Sequence, residues 1–491
     1  MKSVITLSRL MILGVVCAAP LMITACGGGG TPAPTPPTTL PPTNRAPQFT
    51  SPTTASIVEN SAATLYTAAA SDPDGDTPTF TISGGPDAAA FTLSGANLAF
   101  RSTPDFERPT DSDRDNVYNV TLGVSDGRGG TASQSVTVTV TNDKEGISVR
   151  RIATGFIEPI GGALLLPQQS GTTGQVVVAE ATGRVYAVDG ATGQRSLFAD
   201  VFSNRPRGNV LGITPYGKST NLFTGMLAVA QDPSGRVMLQ GLGNRQFPIF
   251  TQILPDGSPP ISGKIFEGPA RQQSAGNLFL AFSSENGEGA QDPSFLRGKL
   301  LLLEPTDPYA GATVTPRFTP RIVGSGIRFP GGAGVVAGQM LLADQGGSAE
   351  HELTFFDPNA TGLNFGWPDL EGTQAIRSTP PASAKGPNIV YSFGNGRDQG
   401  TGIIFGALYQ GPIATLNNRF VFGDRNGTIW SVPLNELTSA SLLRAPQLDR
   451  RTEDFVPDIG RIESPVAFIV DDRNRMFILD ADGELFRVDA G

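Results

Sequence analysis

Five short motifs between residues 58 and 143 bring oxygen ligands together two or three at a time. They are Val58-Glu59-Asn60, Ser71-Asp72-Pro73-Asp74, Asp105-Phe106-Glu107, Val124-Ser125-Asp126-Gly127 and Val140-Thr141-Asn142-Asp143. Grouped carboxylates are the chemistry of a hard cation: calcium takes roughly six to eight oxygen ligands, and the ion cancels the repulsion among the acids. The same residues have a plainer use, because Asp72, Asp74 and Asp76 lie in a polar Asp-Pro-Asp-Gly stretch that makes Asx turns without any metal. Acid–base chemistry has less to work with. His351 is the only histidine, and imidazole is the side chain whose pKa suits proton transfer at neutral pH. No Cys-x-x-Cys site, phosphate loop or serine nucleophile with a histidine partner is visible. Asp292 and Asp344 could serve as a carboxylate pair for glycoside chemistry if the fold brought them within reach of each other.

The elements that must position these groups read as strands and turns. Ser135-Val-Thr-Val-Thr-Val-Thr141 alternates strictly, which puts three valines on one face of a strand. Several such strands in residues 45–143 predict a Greek-key β-sandwich. From 147 to 491, apolar strands that end in an acid just before a turn recur, as in the runs ending at Glu180, Asp344, Asp424 and Asp480. Repeated hairpins over this length predict a six-bladed β-propeller, with blades of about 57 residues. The predicted fold class is therefore all-β, a sandwich followed by a propeller.

The start of the chain reads as an export signal. Lys2 and Arg9 precede the apolar run Leu10–Val16, and Ile23-Thr24-Ala25-Cys26 has the small residues before cysteine that mark lipoprotein cleavage. Residues 1–25 are expected to be removed and Cys26 lipidated, anchoring the chain in a membrane. The absence of Asp after Cys26 favours the outer membrane, with the protein periplasmic or surface-exposed. An ordinary signal cleaved near Ala19, leaving Cys26 a free thiol, is the alternative. Residues 26–44, rich in Gly, Pro and Thr, predict an extended tether. With only Cys17 and Cys26 in the chain, the mature protein is expected to have no disulfide. A formal charge of −9 argues against nucleic acid as a partner.

The acidic motifs, in this order, resemble those of a cadherin repeat. Asn44-Arg-Ala-Pro47 is similar to the linker that opens such repeats, and Asn142-Asp143 to the linker that closes them. The resemblance implies calcium ligands at both ends of the sandwich. Glu59, Asp105, Glu107, Asn142 and Asp143 belong to the propeller-proximal end, with Glu145 as a further ligand. Asp72, Asp74 and Asp126 belong to the stalk end, where no second repeat is visible to complete the site.

The second region resembles the soluble glucose, aldose sugar and sorbosone dehydrogenases that use pyrroloquinoline quinone. Gly289-Ala-Gln-Asp292, Gly326-Ile-Arg328-Phe-Pro330, Ala343-Asp-Gln345-Gly346-Gly347, Gly362-Leu-Asn-Phe-Gly-Trp367-Pro368 and Gly400-Thr-Gly-Ile-Ile-Phe-Gly406 carry it. It implies Arg328, Gln345, Gly346, Gly347 and, more loosely, Arg461 as cofactor contacts, and Glu352 as a structural calcium ligand. The chain departs from that family at the catalytic base. The strand expected to open with a histidine reads Gln272-Gln273-Ser-Ala-Gly-Asn277-Leu-Phe-Leu, and an amide accepts no proton at neutral pH. His351 lies elsewhere, in the calcium-loop stretch, and Arg425 is the only distant stand-in for the lysine that pairs the quinone carboxylates.

The function expected from these features is a surface lipoprotein whose calcium-binding module presents a non-catalytic or weakly catalytic propeller to a carbohydrate or a surface protein. The alternatives are a quinone- and calcium-dependent sugar dehydrogenase using Glu285 or Asp292 as base, and an adhesion protein acting through the first module alone.

Overall fold

The computed structural model describes residues 43–491 apart from 166–174, 204, 218–223, 243–250, 254–261, 268–277, 306–317, 378–382 and 440. The signal segment, Cys26, the tether as far as residue 42 and the Gln272–Asn277 stretch lie outside the described residues.

The first region is a sandwich. Its larger sheet pairs Thr54–Val58 in parallel with Thr131–Thr141, which runs antiparallel to Val117–Ser125, itself antiparallel to Thr79–Gly84. The second sheet is formed by Tyr66–Thr67, Asn97–Phe100 and Phe91–Ser94. The alternation seen in the sequence explains the packing: Val136, Val138 and Val140 are buried on one face and meet Tyr118, Val120, Phe91 and Leu98 in a single core.

The second region is a ring of six sheets. Their innermost strands are Pro159–Leu164, Asn209–Gly217, Gly263–Glu267, Pro330–Val336, Ile403–Tyr409 and Pro465–Val470, each next to its neighbours around the ring. The sixth blade is closed by the first strand of the region: Ile147–Ala153 pairs with Leu485–Ala490. Middle strands such as Gln175–Glu180 and Met476–Asp480 are buried on both faces, which is why they read as unbroken apolar runs. Six separate cores fill the six interfaces between blades, for example Val177 and Ala179 against Met226 and Ala228, and Phe279 and Leu302 against Met340 and Phe356. Among the described residues the one α-helix is Leu434–Thr438.

The recurring acids have one shared task. Each stands at the end of its blade's second strand and accepts hydrogen bonds from backbone N–H groups at the entry to the innermost strand. Glu180 takes that of Ile157 (2.8 Å), and Asp344 those of Arg328 and Phe329 (2.8 and 2.7 Å). Asp424 takes those of Thr401 and Gly402 (2.7 and 3.0 Å), and Asp480 those of Glu463 and Ser464 (both 2.9 Å). In the third blade Ser283 fills the place, its hydroxyl accepting from Ser262 N at 3.0 Å. A buried entry loop has N–H groups that need acceptors, and in four of the six blades a carboxylate supplies them.

Candidate functional site

Two places gather ionisable groups. The first is the joint between sandwich and propeller. Glu59, at the end of its strand, accepts Phe106 N at 2.8 Å and Asp143 N at 2.9 Å, which ties the Asp105–Glu107 loop to the exit linker. Glu107 is 1% exposed, and neither carboxylate oxygen has a hydrogen-bond partner. Oxygens of Glu59, Glu107 and Glu145 all lie within 4.8 Å of one another. Burial, then the charge of Asp454, push the Glu107 carboxyl up to about 10, against the pull of Arg451. Burial also raises Glu59 and Asp454.

The propeller meets this cluster with Arg451, which is 4% exposed. Its Nη1 touches Glu145, lies 3.1 Å from Asp454 Oδ2 and 3.6 Å from Glu107 Oε2. Asn142 turns its amide nitrogen to Asp454 Oδ1 at 2.6 Å, Arg450 N donates to the Glu107 carbonyl at 3.0 Å, and Thr415 donates to the Glu145 carbonyl at 2.9 Å. Arg108 pairs with Asp449 at 2.7 Å and Arg114 with Asp398 at 3.1 Å. The linker is bent sharply to make these contacts: Lys144 and Glu145 hold φ of +55° and +47°. A non-glycine residue in the left-handed region costs on the order of 1 kcal/mol or more, so the strain persists only because the contacts hold it.

Of the proximal ligands expected from the sequence, Glu59 and Glu107 are brought together and Glu145 joins them. Asn142 faces the cluster through its amide nitrogen, while Asp105 and Asp143 are exposed. Arg451 and Asp454 went unforeseen, because nothing in the sequence links them to a motif 300 positions earlier. The buried, unpartnered oxygens of Glu107 suit a divalent cation, which would ionise the carboxyl and satisfy it.

The stalk end is built differently. Asp74 is clamped by Arg45 through its backbone N (2.7 Å) and guanidinium (2.8 Å), which lowers its pKa. Asp126 accepts Arg128 N and Asn44 Nδ2, both at 2.7 Å, and Asp72 caps Asp74 N at 2.8 Å. These are the Asx turns that the sequence allowed. Asp72, Asp74 and Asp126 are not among the groups whose oxygens converge; besides the joint, the convergent group among the described residues is Asp111, Asp113 and Asp115. Its Asp-x-Asp-x-Asp spacing is visible in the sequence and was passed over. Asp111 spends its oxygens on Asp115 N and Asn116 N at 2.7 and 3.3 Å.

The second place is the propeller's centre. Glycines on the innermost strands keep it open: Gly161, Gly162, Gly212, Gly331, Gly332 and Gly406 all border its cavities. On one side, Arg328, Gln345 and Gly347 do come together. Arg328 Nη1 donates to the Gln345 carbonyl at 3.1 Å, Nε lies 3.4 Å from Glu371, and the guanidinium sits 5.4 Å over the Trp367 ring. Gln345 Nε2 donates to Ile403 O at 3.0 Å. Glu371 accepts the N–H groups of Gly347, Ser348 and Ala349 at 3.0, 3.1 and 2.7 Å. His351 is fully buried behind this loop, its Nδ1 accepting Gly346 N and its Nε2 facing Gly400 O, both at 3.0 Å. That pattern fixes the Nε2–H tautomer, and burial lowers the ring's pKa; His351 positions the loop and reaches no substrate. Glu352 lies among Asp344, Glu350 and Glu371, and burial pushes its carboxyl well up; the same effect raises Asp344 to about 6. The carboxylates around Glu352 are not among the groups whose oxygens converge, and those of Asp344, Glu350 and Glu371 already accept from protein donors.

Of the residues carried over for a quinone, Arg328, Gln345 and Gly347 lie together and Arg461 lies apart. Arg328 and Gln345 are bonded to protein, and the Arg461 side chain is 83% exposed beside Glu463. Asp292 is exposed and capped by Ser294 N at 2.9 Å, whereas Asp344 is buried with both oxygens on backbone, so the two form no catalytic pair. The strand beginning at Leu278 is the second of its blade. The innermost strand, Gly263–Glu267, presents Lys264 to the channel instead.

Residues 44–139 match the bacterial Ig domain family. A solved glucose dehydrogenase is similar at 18% identity and a TM-score of 0.51, covering 70% of this chain and 100% of that one. The soluble aldose sugar dehydrogenase of Escherichia coli in its apo-form aligns at 16% identity and TM-score 0.48, over 70% and 100% of the chains. The EC1-2 segment of human protocadherin-24 aligns at 17% identity and TM-score 0.21, over 43% of this chain and 94% of that one. Nothing among curated proteins matches the chain. The chain thus joins a region that matches the bacterial Ig domain family to a propeller with the fold of a solved glucose dehydrogenase.

Proposed function

We propose that this chain is a surface-display protein: a cation-stiffened sandwich holds a non-catalytic propeller away from an outer membrane, where its central face takes up a carbohydrate or partner. The observation that carries the reading is Glu107, buried at the joint with neither oxygen hydrogen-bonded, Arg451 at 3.6 Å and two further carboxylates at hand. Calcium is the cation proposed, because the donors are all carboxylate oxygens. Ionised Glu59, Glu107 and Glu145 would hold it, while Arg451 and Asp454 keep the propeller seated. The anchor is Cys26 with its lipid, and the tether supplies the reach.

The propeller's chemistry supports binding over turnover. A sugar oxidation needs a base within hydrogen-bond reach of a hydroxyl. Among the described residues the central histidine is spent on Gly346 and Gly400. The test is a dye-reduction assay on the mature chain with calcium, pyrroloquinoline quinone and a panel of aldoses, beside calorimetric calcium titration. The expected result is calcium binding that Glu107→Gln abolishes, with no dye reduced. Turnover would replace this reading with a dehydrogenase that uses Glu285, which lies near enough for its charge to act on Arg425.

A further inference from the structure

We infer that the channel takes a small carboxylate-bearing sugar, a hexuronate, with the carboxylate between Lys264 and Arg425. This rests on the proposed binding role of the propeller's central face and names the class of ligand.

The cavity measures about 420 Å³, and among the described residues no carboxylate borders it. Lys264 and Arg425 do. The Lys264 ammonium donates to Ile160 O at 2.9 Å, and an ammonium has three donors, so two remain for a ligand. Arg425 lies 5.1 Å over the Phe329 ring. Its guanidinium has no ion pair among the described residues. Asp424, next in the chain, has its oxygens filled by Thr401 N, Gly402 N, Asn426 N and the Tyr391 hydroxyl. Asp424, and after it Glu285, act on Arg425 through their charge alone.

Two cations facing one cavity repel each other, and the effect is visible. Burial and the charge of Arg425 together bring the Lys264 amine down to about 8. An anion between them removes that repulsion, and charge-assisted hydrogen bonds to a carboxylate are about twice as strong as neutral ones. The rest of the wall suits a sugar body. Asn209, Ser262 and Ser464 offer partners for ring hydroxyls, and Phe329 and aliphatic side chains face the C–H surface. A cavity within the roughly 300–1,000 Å³ range of ligand pockets accommodates one or two rings.

The test is isothermal titration of the mature chain in calcium with D-glucuronate, D-galacturonate, D-glucose, inorganic phosphate and pyrroloquinoline quinone. Lys264→Met and Arg425→Gln are titrated beside it, with thermal melts to verify folding. The expected result is a uronate bound at least tenfold more tightly than glucose, with each variant losing about tenfold. Glucose bound as tightly as the uronates would overturn the inference and leave carbohydrate binding standing. Phosphate bound as tightly would reduce the site to an adventitious anion contact. Quinone bound in place of uronate would return the channel to cofactor chemistry. No binding by any sugar would remove both the inference and the carbohydrate reading.

Discussion

At the joint, carboxylates from the sandwich and its linker close around one nitrogen of Arg451, leaving Glu107 without a hydrogen bond. In the channel, two cations border a cavity with no carboxylate in its wall among the described residues. The joint gathers acids around one arginine and the channel brings two cations to one cavity, and burial magnifies the interactions in both. The joint is closed and spans two domains, so a ligand there acts on how the domains are held. The channel is open and sits within one domain, so a ligand there is recognised without anything being rearranged. At the stalk end Arg45 clamps Asp74 at 2.8 Å and Arg128 reaches Asp76 at 3.1 Å, while one oxygen each of Asp72 and Asp76 stays buried without a hydrogen bond, and these acids do not converge.

The contrast is broken most forcibly at Arg451. Arg451→Met leaves Glu145, Asp454 and Glu107 facing each other without their cation. Removing one partner of a buried ion pair costs about 3–5 kcal/mol, so the urea midpoint should fall by that equivalent in chelator, and calcium should restore part of it. Unchanged stability would mean that the arginine is not structural. Next in size is the loss of uronate affinity in Lys264→Met, about tenfold; the same variant should leave the calcium titration untouched, separating channel from joint.

A smaller effect follows from pH. Lys264 titrates near 8, lowered by burial and by Arg425. Its charge is present below that value and is lost above it, so uronate affinity should decline as pH rises from 7 to 9. Arg425 stays charged throughout and limits the loss; a flat profile would mean that the amine does not touch the ligand. The smallest effect is expected at the stalk end. Arg45→Ala breaks an exposed pair, and such pairs contribute little, so the thermal midpoint should stay within experimental scatter and calcium binding should be unaltered.

Much of the scaffold was legible because it is written in local patterns. Alternation in Ser135–Thr141 specified a strand with one buried face, and the acids at Glu180, Asp344, Asp424 and Asp480 marked repeating hairpins before their role as acceptors was known. That Glu59 and Glu107 lie together was implied by the resemblance of their motifs to a cadherin repeat, and the two do meet. What sequence could not provide was contact across the chain. Arg451 and Asp454 meet the joint only because the fifth blade returns there, and Lys264 reaches the channel only because its strand is the innermost of its blade. Asp105 and Asp143 have the right chemistry but lie at the surface, a distinction that burial makes and composition does not.

The central claim is that the joint holds a divalent cation. It is tested most directly by titrating calcium into the mature, chelator-treated chain by calorimetry, with small-angle scattering on the same samples. The account predicts saturable binding, lost in Glu107→Gln and kept in Asp74→Asn, together with a narrower distribution of domain orientations when calcium is bound. Binding that survives Glu107→Gln, or its absence from the unmodified chain, would contradict it.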